Sequence, residues 1–188
     1  DARFLEKDLV RTAELIDRHQ PFVVLLTHYE ELLHTQHKLD YPLLSKLFGV
    51  PIGLAEDKLQ ILQGEVDFRH IHVTYGKDVE AAIDQIINVI VTLPNIREKY
   101  SKRYMAIRLL ERADEMLALL PHSDELVRVA EEQRNRLEMV FGVSAKEVVS
   151  QARRGFVHGA LEETLTHAQN DTGHSRADRI DKILTNKW

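Results

Sequence analysis

Apolar residues near the start of the chain fall on one helical face. Leu5, Leu9, Ala13 and Ile16 recur at steps of four, four and three, and His19-Gln20-Pro21 ends the pattern. Phe22-Val23-Val24-Leu25-Leu26 is a short, nearly unbroken apolar run, which suits a strand buried on both faces of a parallel sheet. Helix, break and buried strand make half of an α/β unit. Glu31 to Lys38 is polar and ambiguous. Asp40 is placed to cap a helix that tolerates Pro42 in its first turn, shows Leu43, Leu44, Leu47 and Phe48 on one face, and ends at Gly49. Val50-Pro51-Ile52 can begin another strand. Residues 53–67 are weakly patterned, and Phe68 to Tyr75 alternates loosely, as an edge strand would.

After Gly76 every pattern is helical. Val79, Ile83, Ile86 and Ile90 line one helix; Tyr104, Ile107 and Leu110 a second; Met116, Leu117 and Leu120 a short third stopped by Pro121. Ser123 caps a fourth, with Asp124 and Glu125 at its positive end and Leu126, Val129, Ala130, Leu137 and Val140 along it. Gly142 closes that helix. Ser144 and Glu147 fit a capping box for the next, which is expected to run to Gln169, about 37 Å. Asn170-Asp171-Thr172-Gly173 breaks it, and Ser175 opens a last helix containing Ile180, Ile183 and Leu184. The fold class expected is mainly α: a partial α/β stretch over 1–75, then an all-α bundle over 76–188. There is no internal repeat.

Composition narrows the function. Hydrophobic residues make up 44% and charged residues 29% of 188, an ordinary globular balance. There is no cysteine, which excludes disulfides and thiolate metal sites. A formal charge of −5 with scattered Lys and Arg argues against nucleic acid as a partner. The longest apolar stretch, Ile86 to Leu93, contains Asn88 and Thr92, whereas a spanning helix needs about 20 apolar residues. The chain opens at Asp1 without Met, which suggests a fragment or a processed start, and no signal peptide is visible.

Four stretches carry a resemblance. Tyr75-Gly-Lys-Asp-Val-Glu-Ala-Ala-Ile83 resembles the Tyr-Gly-x-x-[Ile/Val]-Glu-x-Ala-[Ile/Leu] opening of the helical domain of FeoB-type ferrous-iron transporters. Arg103-Tyr-Met-Ala-Ile-Arg-Leu-Leu-Glu111 resembles Arg-[Trp/Tyr]-x-Ala-[Ile/Leu]-[Lys/Arg]-Leu-Leu-Glu, and Ala152-Arg-Arg-Gly-Phe-Val-His-Gly159 resembles Ala-Arg-Tyr-x-Phe-Ile-x-Gly. Ser175-Arg-Ala-Asp-Arg-Ile-Asp-Lys-Ile-Leu-Thr-Asn-Lys-Trp188 is similar to the element that precedes the transporter's first membrane helix. One such match would be weak; four in order are specific. At the other end, Asp1-Ala-Arg-Phe-Leu-Glu-Lys-Asp-Leu9 and Leu47-Phe-Gly-Val-Pro-Ile52 resemble segments of the family's GTPase domain.

The resemblance implies that 1–75 is the C-terminal part of a degenerate GTPase-like domain and 76–188 the helical domain leading to the membrane domain. It implies a cytosolic regulatory part at the cytoplasmic face of the bacterial inner membrane, coupling guanine-nucleotide state to Fe²⁺ transport. Its partners would be the rest of the GTPase domain and the membrane domain, with a homo-oligomer left open. The full-length family uses GTP/GDP and Mg²⁺. This stretch contains no Gly-x-x-x-x-Gly-Lys-[Ser/Thr] loop and no Asp-x-x-Gly segment, so the chain alone is expected to hold no nucleotide and to be inactive as an enzyme. The family's guanine-reading Asn-x-x-Asp falls on Thr27-His28-Tyr29-Glu30, and the later Ser-Ala motif on Gly53-Leu54-Ala55. Thr27 and Glu30 are thus the degenerate nucleotide-binding residues, against the simpler and preferred reading of a solvated strand-to-helix loop. A nucleotide-independent helical interaction module is the alternative function.

Other candidates weigh less. His28, His34 and His37, and the pair His70 and His72, suit transition metals by residue type, but no complete ligand set is defined and surface histidines are the preferred reading. Arg153 and Arg154 could meet lipid phosphate, though a charged helix face is the simpler account. Trp188 could anchor at an interface. The first 75 residues are expected to be the less stable part, because a parallel strand without its neighbours exposes backbone polar groups.

Overall fold

A computed structural model of the chain describes residues 1–34, 37–58, 61, 71–93, 101–112, 116 and 123–167. They form two compact units. One comprises Asp1–Ile16, Gln20–Ile71 and Gly155–Trp188; the other Asp17–His19 and His72–Arg154. The architecture is mainly α, with a partial α/β part and a helical bundle.

In the first unit, a 3-10 turn at Ala2–Phe4 leads into α1, Leu5–Asp17. Its predicted stripe is the buried one: Leu5, Leu9, Ala13 and Ile16 are all in the core. β1 (Val24–Leu26) pairs in parallel with β3 (Ile52–Leu54), with Val24 opposite Ile52 and Leu26 opposite Leu54. The parallel pairing is as the sequence predicts, but the strand starts at Val24, not Phe22, and only Leu26 is fully buried. The stretch that reads as ambiguous, Glu31 to Lys38, takes in most of α2 (Tyr29–His34) and the start of β2 (His37–Leu39). Asp40 Oδ1 accepts the Leu43 N–H at 3.0 Å and starts α3 (Tyr41–Phe48), which has Pro42 in its first turn. It ends at Gly49 with φ 63°, a left-handed geometry that glycine adopts without a Cβ penalty. Phe48 is fully buried, its ring 5.1 Å from that of Phe156.

The second unit contains α4 (Lys77–Ile90), α5 (Lys102–Leu110), α6 (Asp124–Phe141) and the first part of α7 (Ala145–Thr164), which passes into the first unit at Gly155. α4 packs on α5 and α6, and α5 on α6. Their predicted faces are the core: Val79, Ile83, Ile86 and Ile90 from α4; Tyr104, Ile107 and Leu110 from α5; Leu126, Ala130 and Leu137 from α6. Each fully buried aliphatic side chain here contributes about 1.5–3 kcal/mol by leaving water. Ser101 Oγ caps α5 through the Tyr104 N–H at 3.0 Å, and Ser123 Oγ caps α6 through the Leu126 N–H at 3.2 Å.

The structure corrects several sequence expectations. Val140 points outward and is exposed beside Met139 and Phe141. α7 stops at Thr164, so it is about 30 Å long. There the Thr164 hydroxyl bonds back to the Ala160 carbonyl, its own carbonyl accepts the Asp40 N–H, and the chain enters β4 (Leu165–His167), antiparallel to β2. The described part of the expected edge strand, Ile71 to Tyr75, is not a strand; side chains take up its polar groups instead, Arg103 donating to the Val73 carbonyl and Glu80 accepting the Tyr75 N–H. The capping box at Ser144 is half formed. Ser144 Oγ accepts the Glu147 N–H, while the Glu147 carboxylate turns along its own helix to Gln151 at 3.2 Å and Arg154 at 2.6 Å. Phe68 to His70, the third-helix positions Leu117 and Leu120, Gln169 and the final helix to Trp188 lie outside the described residues.

Candidate functional site

The second unit is organised around a buried polar cluster. α1 delivers its last residue, Asp17, into it; Tyr75 comes from the segment before α4, Glu80 from the first turns of α4, Arg103 from α5, Glu111 from just after α5, and Arg153 from α7. Tyr75 is the hub. Its hydroxyl donates to Asp17 Oδ2 and accepts from Arg153 Nε at 2.9 Å. Arg153 Nη1 also donates to Glu111 Oε1, and its Nη2 lies 3.7 Å from Asp17 Oδ2. Glu111 is held on its other side by Arg108 at 2.7 Å. Arg103 grips Glu80 with both terminal nitrogens, at 2.6 and 2.8 Å, and its guanidinium lies 5.7 Å from the Tyr75 ring centroid. Ser101 Oγ donates to the Asp17 carbonyl at 2.8 Å. Three carboxylates (Asp17, Glu80, Glu111) thus face three guanidinium groups (Arg103, Arg108, Arg153).

Burial sets the charge states. Asp17 is wholly inaccessible and Arg153 and Glu111 nearly so. Burial pushes the Asp17 carboxyl up to about 6, against the opposing pull of the Tyr75 hydrogen bond and the Arg153 and Arg103 charges. Burial, then the Asp17 charge, holds the Tyr75 phenol well above its usual range, so it stays a donor. At Glu80 burial is outweighed by hydrogen bonds from Arg103 and the Tyr75 N–H, and the carboxyl is held below its ordinary value. At Arg103 and Arg153 burial is likewise outweighed by their facing partners, and both stay charged. The arrangement is closed off from solvent at Asp17, Glu111 and Arg153. It joins separate segments of the unit by charge and hydrogen bonding.

Every polar position but Asp17 stands at a specified place in the motifs that carry the resemblance: Tyr75 and Glu80 in the first, Arg103 and Glu111 in the second, Arg153 in the third. Sequence reasoning misses Asp17. Its signal is available, because it continues the row Leu5, Leu9, Ala13 by one more step of four, which puts a carboxylate in an apolar stripe. Arg153 is a correction. It is buried rather than part of a solvated face, whereas Arg154 is exposed and pairs with Glu147 and Ser150.

The two guanine-motif positions are in the other unit. Thr27 is exposed between β1 and α2, its carbonyl accepting the Ala2 N–H at 2.9 Å, and Glu30 is exposed in the first turn of α2. Between them His28 has φ 56° and its Nδ1 is 3.6 Å from Asp1. His72 does not join a strand-borne pair with His70, which lies outside the described residues. It stacks on His19, ring centroids 4.7 Å apart, with Nε2 of His19 3.1 Å from Nδ1 of His72. Among the described residues no group of three or more His, Asp or Glu side chains is placed to hold a metal, and no helix is long and apolar enough to cross a membrane.

Fold and cluster define a class, a partial α/β part in one chain with a helical bundle built round buried ion pairs. Comparison with known proteins gives the family. Residues 75–166 match the model of the FeoB cytosolic helical domain, a span that includes five of the six cluster residues. The FeoA/FeoB fusion protein of Porphyromonas gingivalis is 27% identical over 97% of this chain, and a Fe(2+) transporter FeoB of Staphylococcus aureus 26% identical over 100%. The chain spans 24% and 29% of the length of these two relatives. Among solved structures, NFeoB from S. thermophilus bound to mGMPPNP superposes with a TM-score of 0.74 at 25% identity, covering 93% of this chain and 67% of that one. The S. thermophilus NFeoB bound to GDP·AlF₄⁻ and K⁺ gives 0.75 at 25%, over 86% and 66%. A GDP-bound variant of the FeoB G-domain, at 24% identity and TM-score 0.78, shows the same fold. Residues 75–166 are thus a FeoB cytosolic helical domain, and the chain as a whole is similar to part of FeoB's cytosolic region.

Proposed function

We propose that this chain is the cytosolic regulatory part of a ferrous-iron transporter, where it couples guanine-nucleotide state to Fe²⁺ movement across the membrane. Residues 1–75 act as the last part of the GTPase domain and 76–188 as the helical domain, at the cytoplasmic face of the membrane. The partners are the remainder of the GTPase domain and the membrane domain, and GTP or GDP with Mg²⁺ is bound by the whole assembly. The observation that carries this reading is the family match over 75–166, the stretch that supplies Tyr75, Glu80, Arg103, Glu111 and Arg153 to the cluster. Coupling requires an element whose packing both sites can bias. A cluster that gathers the end of α1 with segments before α4, after α5 and within α7 is a physical means of making such packing all-or-none. The test is a chimera of the S. aureus relative in which residues 72–154 of this chain replace the matching stretch. GTP-dependent Fe²⁺ uptake into proteoliposomes is expected, and uptake indifferent to GTP refutes the reading.

A nucleotide-independent interaction module is the second reading, favoured by the replacement of Asn and Asp by Thr27 and Glu30 at the base-reading positions. Tight GTP binding needs a phosphate cradle of backbone N–H groups and a Lys, and one base contact does not replace it. Calorimetric titration of the chain with GTP and GDP in Mg²⁺ is expected to show no low-micromolar binding. Such binding would mean that other residues build a phosphate site.

A further inference from the structure

We propose that Asp17 is a proton-operated latch: proton uptake fastens the end of α1 into the helical unit, and proton loss loosens it. Such a latch belongs to the resting protein and does not depend on nucleotide coupling. Asp17 is the last residue of α1 and belongs to the helical unit, as do all the groups around it. Asp17 holds that end in place through its backbone carbonyl, bonded to Ser101, and its carboxylate, bonded to Tyr75.

The carboxylate is poorly served as an anion. Among the described residues its buried Oδ1 has no hydrogen-bond partner, and the nearest cationic nitrogen, Arg153 Nη2, is 3.7 Å from Oδ2 and has none either. The groups that face it are Tyr75 from before α4, Arg103 from α5, Glu111 from the end of α5 and Arg153 from α7. Glu111 commits Arg153 Nη1, Glu80 commits both terminal nitrogens of Arg103, and Tyr75 is a neutral donor. A proton on Oδ1 leaves the Tyr75 bond to Oδ2 intact and removes the buried charge. Opening of the α1 end returns Asp17 to water, where its carboxyl falls back to its ordinary value.

With a folded value of about 6 against an ordinary 3.8, the closed state binds the Asp17 proton more tightly than the open one. Between pH 5 and pH 7.5 the opening constant should rise about tenfold, and below the ordinary carboxylate range it should level off.

The test is amide hydrogen exchange of the full chain at Leu15 to His19, corrected for intrinsic chemistry, at pH 5, 6 and 7.5. Wild type should open about tenfold more readily at pH 7.5 than at pH 5. Asp17→Asn, neutral throughout, should abolish that difference, while any contribution from the His19–His72 pair persists in both proteins. A wild-type profile without the rise, or the same rise in Asp17→Asn, overturns the proposal. A carbon-13 titration of the Asp17 carboxyl in wild type decides the matter even where the variant fails to fold. A midpoint near 6 supports the latch, and one in the ordinary carboxylate range overturns it.

Discussion

Replacing Arg153 by Met is the sharpest probe of the cluster. Met preserves most of the apolar stem that the arginine packs along α7, so the loss reports on the guanidinium. The change removes the Nε bond to the Tyr75 hydroxyl at 2.9 Å, the Nη1 bond to Glu111 and the charge 3.7 Å from Asp17. Breaking one side of a buried ion pair costs about 3–5 kcal/mol, because the partner stays buried and uncompensated. The lower end applies here. Glu111 keeps Arg108 at 2.7 Å, and Asp17, already raised to about 6, can shed its cost by taking up a proton. The expected loss is thus about 3 kcal/mol, a fall in melting temperature of roughly 12–24 °C for a unit of this size. Urea unfolding followed by far-ultraviolet circular dichroism measures it. Arg153→Lys should lose less, since one ammonium can satisfy Glu111 but not Tyr75 as well. The triple variant Arg153→Met, Asp17→Asn, Glu111→Gln should regain stability relative to Arg153→Met alone. A loss under about 1 kcal/mol, or a triple variant that is worse, refutes the view that buried charge compensation holds this unit together.

Ser144→Ala should cost about 0.5–2 kcal/mol, because the Glu147 N–H loses its acceptor. Glu147→Ala should add to it with little coupling, since that carboxylate serves Gln151 and Arg154 rather than the cap; strong non-additivity in a double-mutant cycle would restore the reciprocal box. Glu80→Gln should destabilise the helical unit at pH 7 and much less in acid. A carboxyl held below its unfolded value contributes above that value and loses its contribution as pH falls through the folded one, so wild type and variant should converge below about pH 4.5 in denaturant titrations. Parallel curves down to about pH 3 would contradict the Arg103–Glu80 assignment.

Where an element's stability is local, its pattern is legible in the sequence. The stripes of α1, α4 and α5 are readable because a buried face repeats every three or four residues whatever it packs against. The caps at Asp40 and Ser123 act within three residues of themselves. The elements that escape sequence reasoning depend on partners far along the chain. α7 reads as helical past Thr164, yet Asp40, more than a hundred residues earlier, takes the Thr164 carbonyl, and the strand at 37–39 pairs with Leu165–His167. Ile71 to Tyr75 alternates like a strand, but its polar groups go to Glu80 and Arg103, so it needs no ladder.

The cluster divides the same way. Motif positions flag Tyr75, Glu80, Arg103, Glu111 and Arg153 as specified, but a motif does not say what a residue touches. Arg153-Arg154 reads as a basic pair on a solvated face. α7 turns about 100° per residue, which sends Arg154 to water and Arg153 into contact with Glu111 and Tyr75, 42 and 78 residues away. Asp17 belongs to no motif, yet it occupies a core position of α1 where an aliphatic side chain would cost nothing to bury. A carboxylate there needs an arginine and a phenol facing it, and burial still raises it to about 6. A polar residue standing in a well-formed apolar stripe is therefore the sequence feature most worth pursuing, since the fold must supply it with a partner or its protonation must shift.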